Sequence, residues 1–558
     1  MHKPVSLFTL VAATIVACWW WLGSGVPMPP SPLDPGEKLY CVSYAPFRGS
    51  QTPLDLSTRI DARQIEQDLA QLAKITDCVR IYAVDAGLDQ IPEIAQRHGL
   101  KVLLGLWVSS FPDRTQYQIT TGIAIANRYP DTVRAVIVGN EALLRGEVSA
   151  ATLREYIESV KTKVKVPVTY ADVWEFWIRN RELASAVDFV TVHILPYWED
   201  DPIGAAKAAD HVASIRRHVA ESFAGKEIMI GEFGWPSAGR MRESALPSPA
   251  AQARVIADVL GRGKEEGFRV NLIEAYDQPW KRFLEGTVGG HWGLFDDASR
   301  RQKFAWGAPV SNHPHWLWQA LGGVALAGAA FAAAMMARRR WPDARAQEIA
   351  QDNMPDNLTW LAWSAIALNA AVAGVFIGWT VANIPVESLG IGGWVRSLAF
   401  AAVAMLAPVA GSAALATSRS LPALHCAIGS AAQRTSDPLT LLVGLLLVAL
   451  TALAIQSALA LSFDPRYRDF PFAPMTGALV PFALIALMRS KTRVNALMTA
   501  RNAAGRKPLA EMAGAVVLVL SAAFIVWNET FANWQALWFA ATLAALAFSL
   551  LRTRDAPG

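Results

Sequence analysis

The chain has 558 residues, too many for one compact core, so several domains are expected. A hydrophobic fraction of 53% and a mean hydropathy of +0.25 exclude a protein that is water-soluble throughout, and the apolar excess is gathered at the two ends. The net charge of +4 is too small to argue for a nucleic-acid partner. The basic residues of the last third instead flank apolar segments, where they report orientation across a bilayer.

Ser6 to Leu22 follows Lys3 as an apolar helix about long enough to cross a bilayer. Trp19-Trp20-Trp21 end it at an interfacial belt and no small-x-small cleavage site follows, so residues 1–25 read as an uncleaved anchor. The Pro-rich stretch 26–38 is a linker.

From Leu39 short apolar strands alternate with helical stretches, the pattern of a parallel α/β sheet. The expected strands are Tyr40–Tyr44, Cys78–Tyr82, Lys101–Trp107, Arg134–Asn140, Val166–Tyr170, Phe189–His193, Glu227–Glu232 and Asn271–Tyr276. Amphipathic helices fit between them, including Asp61–Lys74 and Ala250–Glu266. Eight strands predict a (β/α)₈ TIM barrel over residues 39–309, near the usual size of about 250 residues. A doubly wound sheet would want a Gly-rich phosphate turn after its first strand, and Ser43-Tyr44-Ala45-Pro46-Phe47 is not one.

Residues 310–558 read as an all-α polytopic membrane domain of about seven spans, each near the ~20 residues needed to cross. They are Trp316–Met336, Leu358–Val381, Val395–Ala416, Leu439–Leu461, the short Met475–Met488, Leu509–Trp527 and Trp534–Leu551. With the anchor this makes about eight crossings. Arg338–Arg345, Arg419–Arg434, Arg489–Lys507 and the tail Arg552–Arg554 then share one face, which the positive-inside rule makes cytoplasmic. The barrel, between the first two spans, is expected outside, in the periplasm of a bacterial inner-membrane protein with both termini cytoplasmic. No charged residue is evident at mid-depth, so anchoring is the expected role of the spans.

Of four cysteines, Cys18 and Cys426 fall in or beside apolar segments, while Cys41 and Cys78 each open a strand. Two buried free thiols are the favoured reading of the latter pair, with a disulfide the alternative if the barrel is periplasmic. No Cys-x-x-Cys or Cys/His cluster occurs, so neither a metal nor another cofactor is expected.

Chemistry is carried by two strand exits. Ala135-Val136-Ile137-Val138-Gly139-Asn140-Glu141 ends the fourth strand, and Ile228-Met229-Ile230-Gly231-Glu232-Phe233-Gly234-Trp235-Pro236 ends the seventh before breaking on Gly, Trp and Pro. A parallel barrel builds its site at the carboxyl ends of its strands, and the fourth and seventh face each other. Two carboxylates there suit glycosidic-bond chemistry, with Asn140 placed to donate to a sugar 2-hydroxyl. Trp174, Trp198, Trp235, Trp280 and Trp292 follow strands and offer flat faces for sugar rings, with core packing as the alternative.

Here the sequence resembles glycoside hydrolase family 17, the β-1,3-glucanases. The matching motifs are Val138-Gly139-Asn140-Glu141 and Gly231-Glu232-Phe233-Gly234-Trp235-Pro236, with weaker matches at Arg80-Ile81-Tyr82, Pro196-Tyr197 and Trp292-Gly293-Leu294-Phe295. Ser43-Tyr44-Ala45-Pro46-Phe47-Arg48 and Glu274-Ala275-Tyr276-Asp277-Gln278-Pro279-Trp280-Lys281 look most similar to a bacterial membrane-bound branch linked to periplasmic β-1,3/β-1,6-glucan synthesis. One departure stands out: plant members carry Glu-x-x-Lys after the eighth strand, where this chain has Gln278 and Lys281. The resemblance implies a retaining enzyme with Glu232 as nucleophile and Glu141 as acid/base. Glu141 would be protonated first, its pKa raised by the neighbouring acid, and Tyr197 could orient Glu232. Tyr44, Arg80, Tyr82, Asn140, Trp174, Tyr197, Trp198, Trp235, Tyr276, Gln278, Trp280, Lys281 and Trp292 would bind substrate.

The expected partners are β-1,3-glucan, the lipid bilayer and a membrane glucan synthase that supplies substrate. Transfer to another sugar is favoured over hydrolysis. An inactive glucan-binding or export scaffold is a further alternative. A nucleotide-sugar synthase would need a cytoplasmic catalytic domain, for which the basic loops are too short.

Overall fold

In the computed structural model the described residues are 2–340, 357–430, 433–494 and 509–554. They divide into two units, residues 26–310 and residues 1–25 with 311–558.

In the first unit eight parallel strands close into a barrel: β1 (Cys41–Ser43), β2 (Cys78–Ile81), β3 (Lys101–Leu106), β4 (Val133–Asn140), β5 (Val168–Val173), β6 (Val190–His193), β7 (Ile228–Phe233) and β8 (Val270–Leu272). Val42 of β1 sits beside Val79 of β2 on one side and Leu272 of β8 on the other, which closes the ring. Side chains alternate between two layers because successive Cβ atoms of a strand point to opposite faces. One face, with Val42, Val79, Leu104, Val136, Val192 and Ile230, packs beneath the helices in the main core. The other lies in a separate, smaller cluster of Cys41, Cys78, Leu103, Ala135, Ile137, Ala171 and Met229.

Cys41 and Cys78 are joined by a disulfide, which corrects the expectation of two free thiols. The pairing of Val42 with Val79 brings the residue before each into register, so the two sulfurs meet. Two strands also differ from expectation. β5 begins after Pro167, which has no N–H to give, and runs on to Val173 by pairing Ala171–Val173 with Thr191–His193. β8 stops at Leu272, because the backbone of Glu274 and Ala275 bonds to Trp292, Leu294, Phe295 and Ser43 instead.

Helices Ala62–Leu72 and Pro249–Glu266 flank the sheet, each opened by a side-chain cap: Asp61 accepts from the Gln64 N–H and Ser248 from that of Ala251. The second has Pro in its first turn and ends on Gly267 in the left-handed region.

The described regular elements of the second unit are helices. Among the described residues, six helices are long and apolar enough to cross a membrane by length and composition: Pro4–Gly23, Trp316–Arg340, Trp360–Glu387, Gly390–Ala416, Pro438–Phe463 and Leu509–Glu529. The two further expected spans appear as shorter apolar helices, Phe472–Met488 and Trp534–Leu550. Buried Asn369 lies within the helix Asn357–Glu387, where its amide donates to the Pro408 carbonyl and the Ser412 hydroxyl, each at 2.9 Å. Of the expected basic loops, residues 341–345 and 495–507 lie outside the described residues, as do 431 and 432.

Candidate active site

The ladder of the barrel is irregular beside the expected acids. Pairing shifts between β4 and β5 just before Asn140, between β6 and β7 just before His193, and between β7 and β8 before Phe233. Such irregularities re-aim side chains at strand ends. At the β4 exit the backbone passes through two left-handed residues, Gly139 at φ 91° and Glu141 at φ 51°. A non-Gly residue there stores strain that its surroundings must over-determine.

The irregular exits converge on one cluster. A carboxylate oxygen of Glu141, a ring nitrogen of His193 and a carboxylate oxygen of Glu232 all lie within 4.8 Å of one another. Arg80 rises from β2 and is buried, with 1% of its surface exposed. Its Nη1 donates to the Gly231 carbonyl at 2.6 Å and to Glu232 Oε1 at 3.2 Å, and its Nη2 donates to Asn140 Oδ1 at 2.5 Å. With Oδ1 occupied, the Asn140 amide nitrogen has no partner among the described residues and remains a donor for a ligand. Tyr82 gives its hydroxyl to Glu232 Oε1 at 2.9 Å and lies 2.9 Å from Ser43 Oγ. Burial and the Glu232 charge hold the Tyr82 hydroxyl well above its ordinary pKa, so it stays a donor.

His193 links the two acids. Its Nδ1 is 2.8 Å from Glu141 Oε1, and its Nε2 is 3.3 Å from Arg80 Nη1 and 3.5 Å from Glu232 Oε1. Burial raises the Glu141 pKa, but the His193 hydrogen bond and the electrostatic pull of His193, Arg145 and Arg80 outweigh it, and the carboxyl lies below its ordinary value. The expectation of a raised pKa is thereby corrected: the His193 ring nitrogen 2.8 Å away and the neighbouring arginines favour the ionised carboxyl more than burial disfavours it. Metal ligands are of the right type in Glu141, His193 and Glu232, yet the Arg80 guanidinium already neutralises Glu232 where a cation would sit.

A second charged group adjoins the first. Glu274, following β8, is buried and ion-paired with Lys281 at 2.8 Å. Burial pushes the Glu274 carboxyl up to about 7, against the pull of Lys281 and with a push from Glu232. Burial also opposes charge on Lys281, but Glu274 and Glu285 outweigh it and hold the ammonium above its ordinary value. On the other side, burial raises the Asp172 carboxyl to about 6, helped by the Glu141 charge, while Tyr170 donates to it.

Of the residues expected to bind substrate, Arg80, Tyr82 and Asn140 lie against the two acids. Half-buried Trp174, Trp198 and Trp280 follow β5, β6 and the β8 exit. Trp292 is buried under Trp198, stacked at 6.4 Å between ring centres and 19° between planes. Lys281 is committed to Glu274. Five others, expected to touch sugar, are buried and bonded within the barrel unit. Trp235 is fully buried and donates to the Leu246 carbonyl. Tyr44 donates to Asp68 and Tyr276 to Gln71, and Gln278 bonds the carbonyls of Ala45 and Tyr276. Tyr197 donates to the Arg240 carbonyl at 2.8 Å, so the hydroxyl on Glu232 is that of Tyr82.

The sequence reading missed His193, Glu274, Asp172 and Arg145. The signal for His193 was available, since it ends an expected strand as the two glutamates do. Gly231 was a second signal: a Cβ there would stand 2.4 Å from Thr191 Cγ2 and 3.2 Å from His193 Cδ2.

Residues 41–293 match the family of the BtgE/BtgC glycoside hydrolase domain. The probable beta-glucosidase btgE of Aspergillus fumigatus is 29% identical over 225 residues, 39% of this chain and 39% of that protein. The probable glucan endo-1,3-beta-glucosidase btgC of Aspergillus clavatus is 28% identical over 297 residues, 46% of this chain and 41% of that one. The chain thus spans about two fifths of the length of these curated relatives. Among solved structures, an active-site mutant of Rhizomucor miehei beta-1,3-glucanosyltransferase in complex with laminaritriose is 25% identical, with a TM-score of 0.43, covering 49% of this chain and 98% of that one.

Proposed function

We propose that residues 41–293, which match the BtgE/BtgC glycoside hydrolase domain, form a family 17-like retaining enzyme of β-1,3-glucan, with Glu232 as nucleophile and Glu141 as acid/base. The observation that carries the reading is the separation of the two acids. Carboxylate oxygens within 4.8 Å of each other fit the ~5–5.5 Å spacing of double displacement and leave no room for the intervening water of an inverting site.

Glu232 attacks the anomeric carbon while Glu141 protonates the departing glycosidic oxygen. Arg80 and Tyr82 hold Glu232 aimed through hydrogen bonds to its Oε1, and Asn140 offers its amide to the 2-hydroxyl of the bound sugar. Glu141 then takes a proton from the incoming hydroxyl, which opens the glycosyl ester. We assign that hydroxyl to a second sugar, because half-buried Trp174, Trp198 and Trp280 offer faces on which an acceptor can stack. Incubating the full-length chain with laminari-oligosaccharides of one length tests this. Products longer than the donor are expected, and only shorter ones would mean hydrolysis. Glu232→Ala should abolish turnover, and Glu141→Ala should lower it by about 10²–10⁴-fold on unactivated glucan. Full activity in either variant would overturn the reading.

The barrel is proposed to work on the outer face of a bacterial inner membrane, with the membrane helices as its anchor and a glucan synthase in the same membrane as its source of substrate. Two observations support this placement. The disulfide suits an oxidising compartment, and Arg338–Arg340 close the first span after the barrel.

A further inference from the structure

The two glutamates share an asymmetry. Oε1 of Glu232 accepts from Tyr82 and Arg80, and Oε1 of Glu141 faces His193. Oε2 of each has no partner among the described residues. The His193 side chain, completely buried, sits between them on β6, in space that Gly231 leaves open. Its tautomer follows from its neighbours. A carboxylate has no hydrogen to give, so Nδ1, 2.8 Å from Glu141 Oε1, carries a ring proton, while Nε2 lies 3.3 Å from Arg80 Nη1 and 3.5 Å from Glu232 Oε1. The Nδ1 proton is directed at Glu141 Oε1.

Resting on the glycosidase reading above, we propose that His193 is a positioning residue that reserves Oε1 of Glu141 and so makes Oε2 the oxygen that carries the catalytic proton. A carboxylic acid protonated on Oε1 would point its hydrogen at the Nδ1 hydrogen, so the acid form is held with its proton on Oε2. In the first step that proton moves to the glycosidic oxygen as the C1–O bond breaks with its electron pair, and a Glu232 oxygen bonds to C1. The charge left on Glu141 is met by the Nδ1–H already in place. In the second step the acceptor hydroxyl bonds to C1, its proton returns to Oε2, and Glu232 leaves as carboxylate. The His193 proton never transfers.

The charged and titratable groups facing this pair are Arg80 and Tyr82 from β2, Arg145 after β4, Asp172 and Tyr170 on β5, Glu232 on β7, and Glu274, Lys281 and Glu285 beyond β8. Each remains in a His193 variant, so a changed profile reports the lost Nδ1–H. That bond favours ionised Glu141, and its removal raises the pKa of the acid.

The experiment measures kcat against pH for the full-length chain in detergent, on laminari-oligosaccharides and on aryl β-laminaribiosides of graded leaving-group acidity. In His193→Ala the upper limb, where Glu141 loses its proton, should move up by about one pH unit. Its kcat should fall by about 10²-fold on oligosaccharides and less on a dinitrophenyl leaving group, which needs no proton. His193→Asn, whose amide N–H can stand where Nδ1–H stood, should keep the limb in place. His193→Gln, whose amide reaches only the Nε2 position, should behave like His193→Ala and serves if that variant fails to fold. An unmoved limb in both His193→Ala and His193→Gln, or a shift in His193→Asn as large as theirs, overturns the proposal. Full activity of Glu141→Ala on laminari-oligosaccharides would instead overturn the glycosidase reading beneath it.

Discussion

Tyr82 and Tyr197 illustrate what one residue's neighbours in sequence can and cannot tell. Each follows a strand and each has a hydroxyl, so either could have oriented Glu232. The choice is made by the barrel: Ser43 on β1 and Glu232 on β7 bracket the Tyr82 hydroxyl, whereas Tyr197 turns back to the Arg240 carbonyl. Glu141 and Glu232 themselves were legible because an apolar, β-branched approach ending on an acid and a chain break is rare outside a strand exit. His193 was not, because its value lies wholly in bridging residues 52 and 39 positions away. A hydrogen bond to a charged group is worth about 1.5–3 kcal/mol, so Tyr82→Phe should lower kcat/KM on glucan by roughly 10–100-fold, read from initial rates. Tyr197→Phe loses a bond to the Arg240 backbone carbonyl rather than to Glu232 and should leave kcat nearly unchanged while lowering thermal stability by about 1 kcal/mol.

At the scale of elements, the strands were read to within three residues except at the end of β8, expected at Tyr276 and found at Leu272, and the misses have local causes. Pro167 delays β5, and the segment 292–295 takes the hydrogen bonds that would have extended β8. Loop conformations were opaque because distant charges fix them. Asp68, buried on the helix Ala62–Leu72, receives Arg48 from the loop after β1 at 2.6 Å, Arg300 from the loop after β8, and the Tyr44 hydroxyl. It ties the two loops that meet at the seam where the barrel closes. Asp68→Ala would leave two guanidiniums facing each other and should destabilise the barrel by about 3 kcal/mol, measured by thermal unfolding of the purified chain. In the helical unit the shorter helix over 472–488 was marked in advance by its short apolar run, whereas the buried Asn369 contact with Pro408 depends on helix packing that no single segment encodes.

For the whole molecule, composition alone separated apolar ends from a more polar middle, since a stretch apolar enough to cross a bilayer shows in any twenty-residue window. The redox state of the cysteines was not legible, because it depends on which strands become neighbours. In this structure Cys41 is bonded to Cys78, while Cys18 and Cys426 keep their sulfurs as thiols. A thiol-reactive label applied to denatured, unreduced chain from the membrane should therefore modify two cysteines, and four after reduction. A periplasm-dependent phosphatase fused after Val310 should be active, and one fused after Arg340 inactive; the reverse pattern would place the barrel in the cytosol.

Val26 and Val310, the first and last residues of the barrel unit, exchange two backbone hydrogen bonds of 2.9 and 3.0 Å. The chain therefore comes and goes through a single doorway. An enzyme built this way can be spliced into another protein at one turn, without asking that host to bring two distant points together. The same doorway marks where scissors would go: cutting on either side should release a cassette whose two loose ends remain clasped.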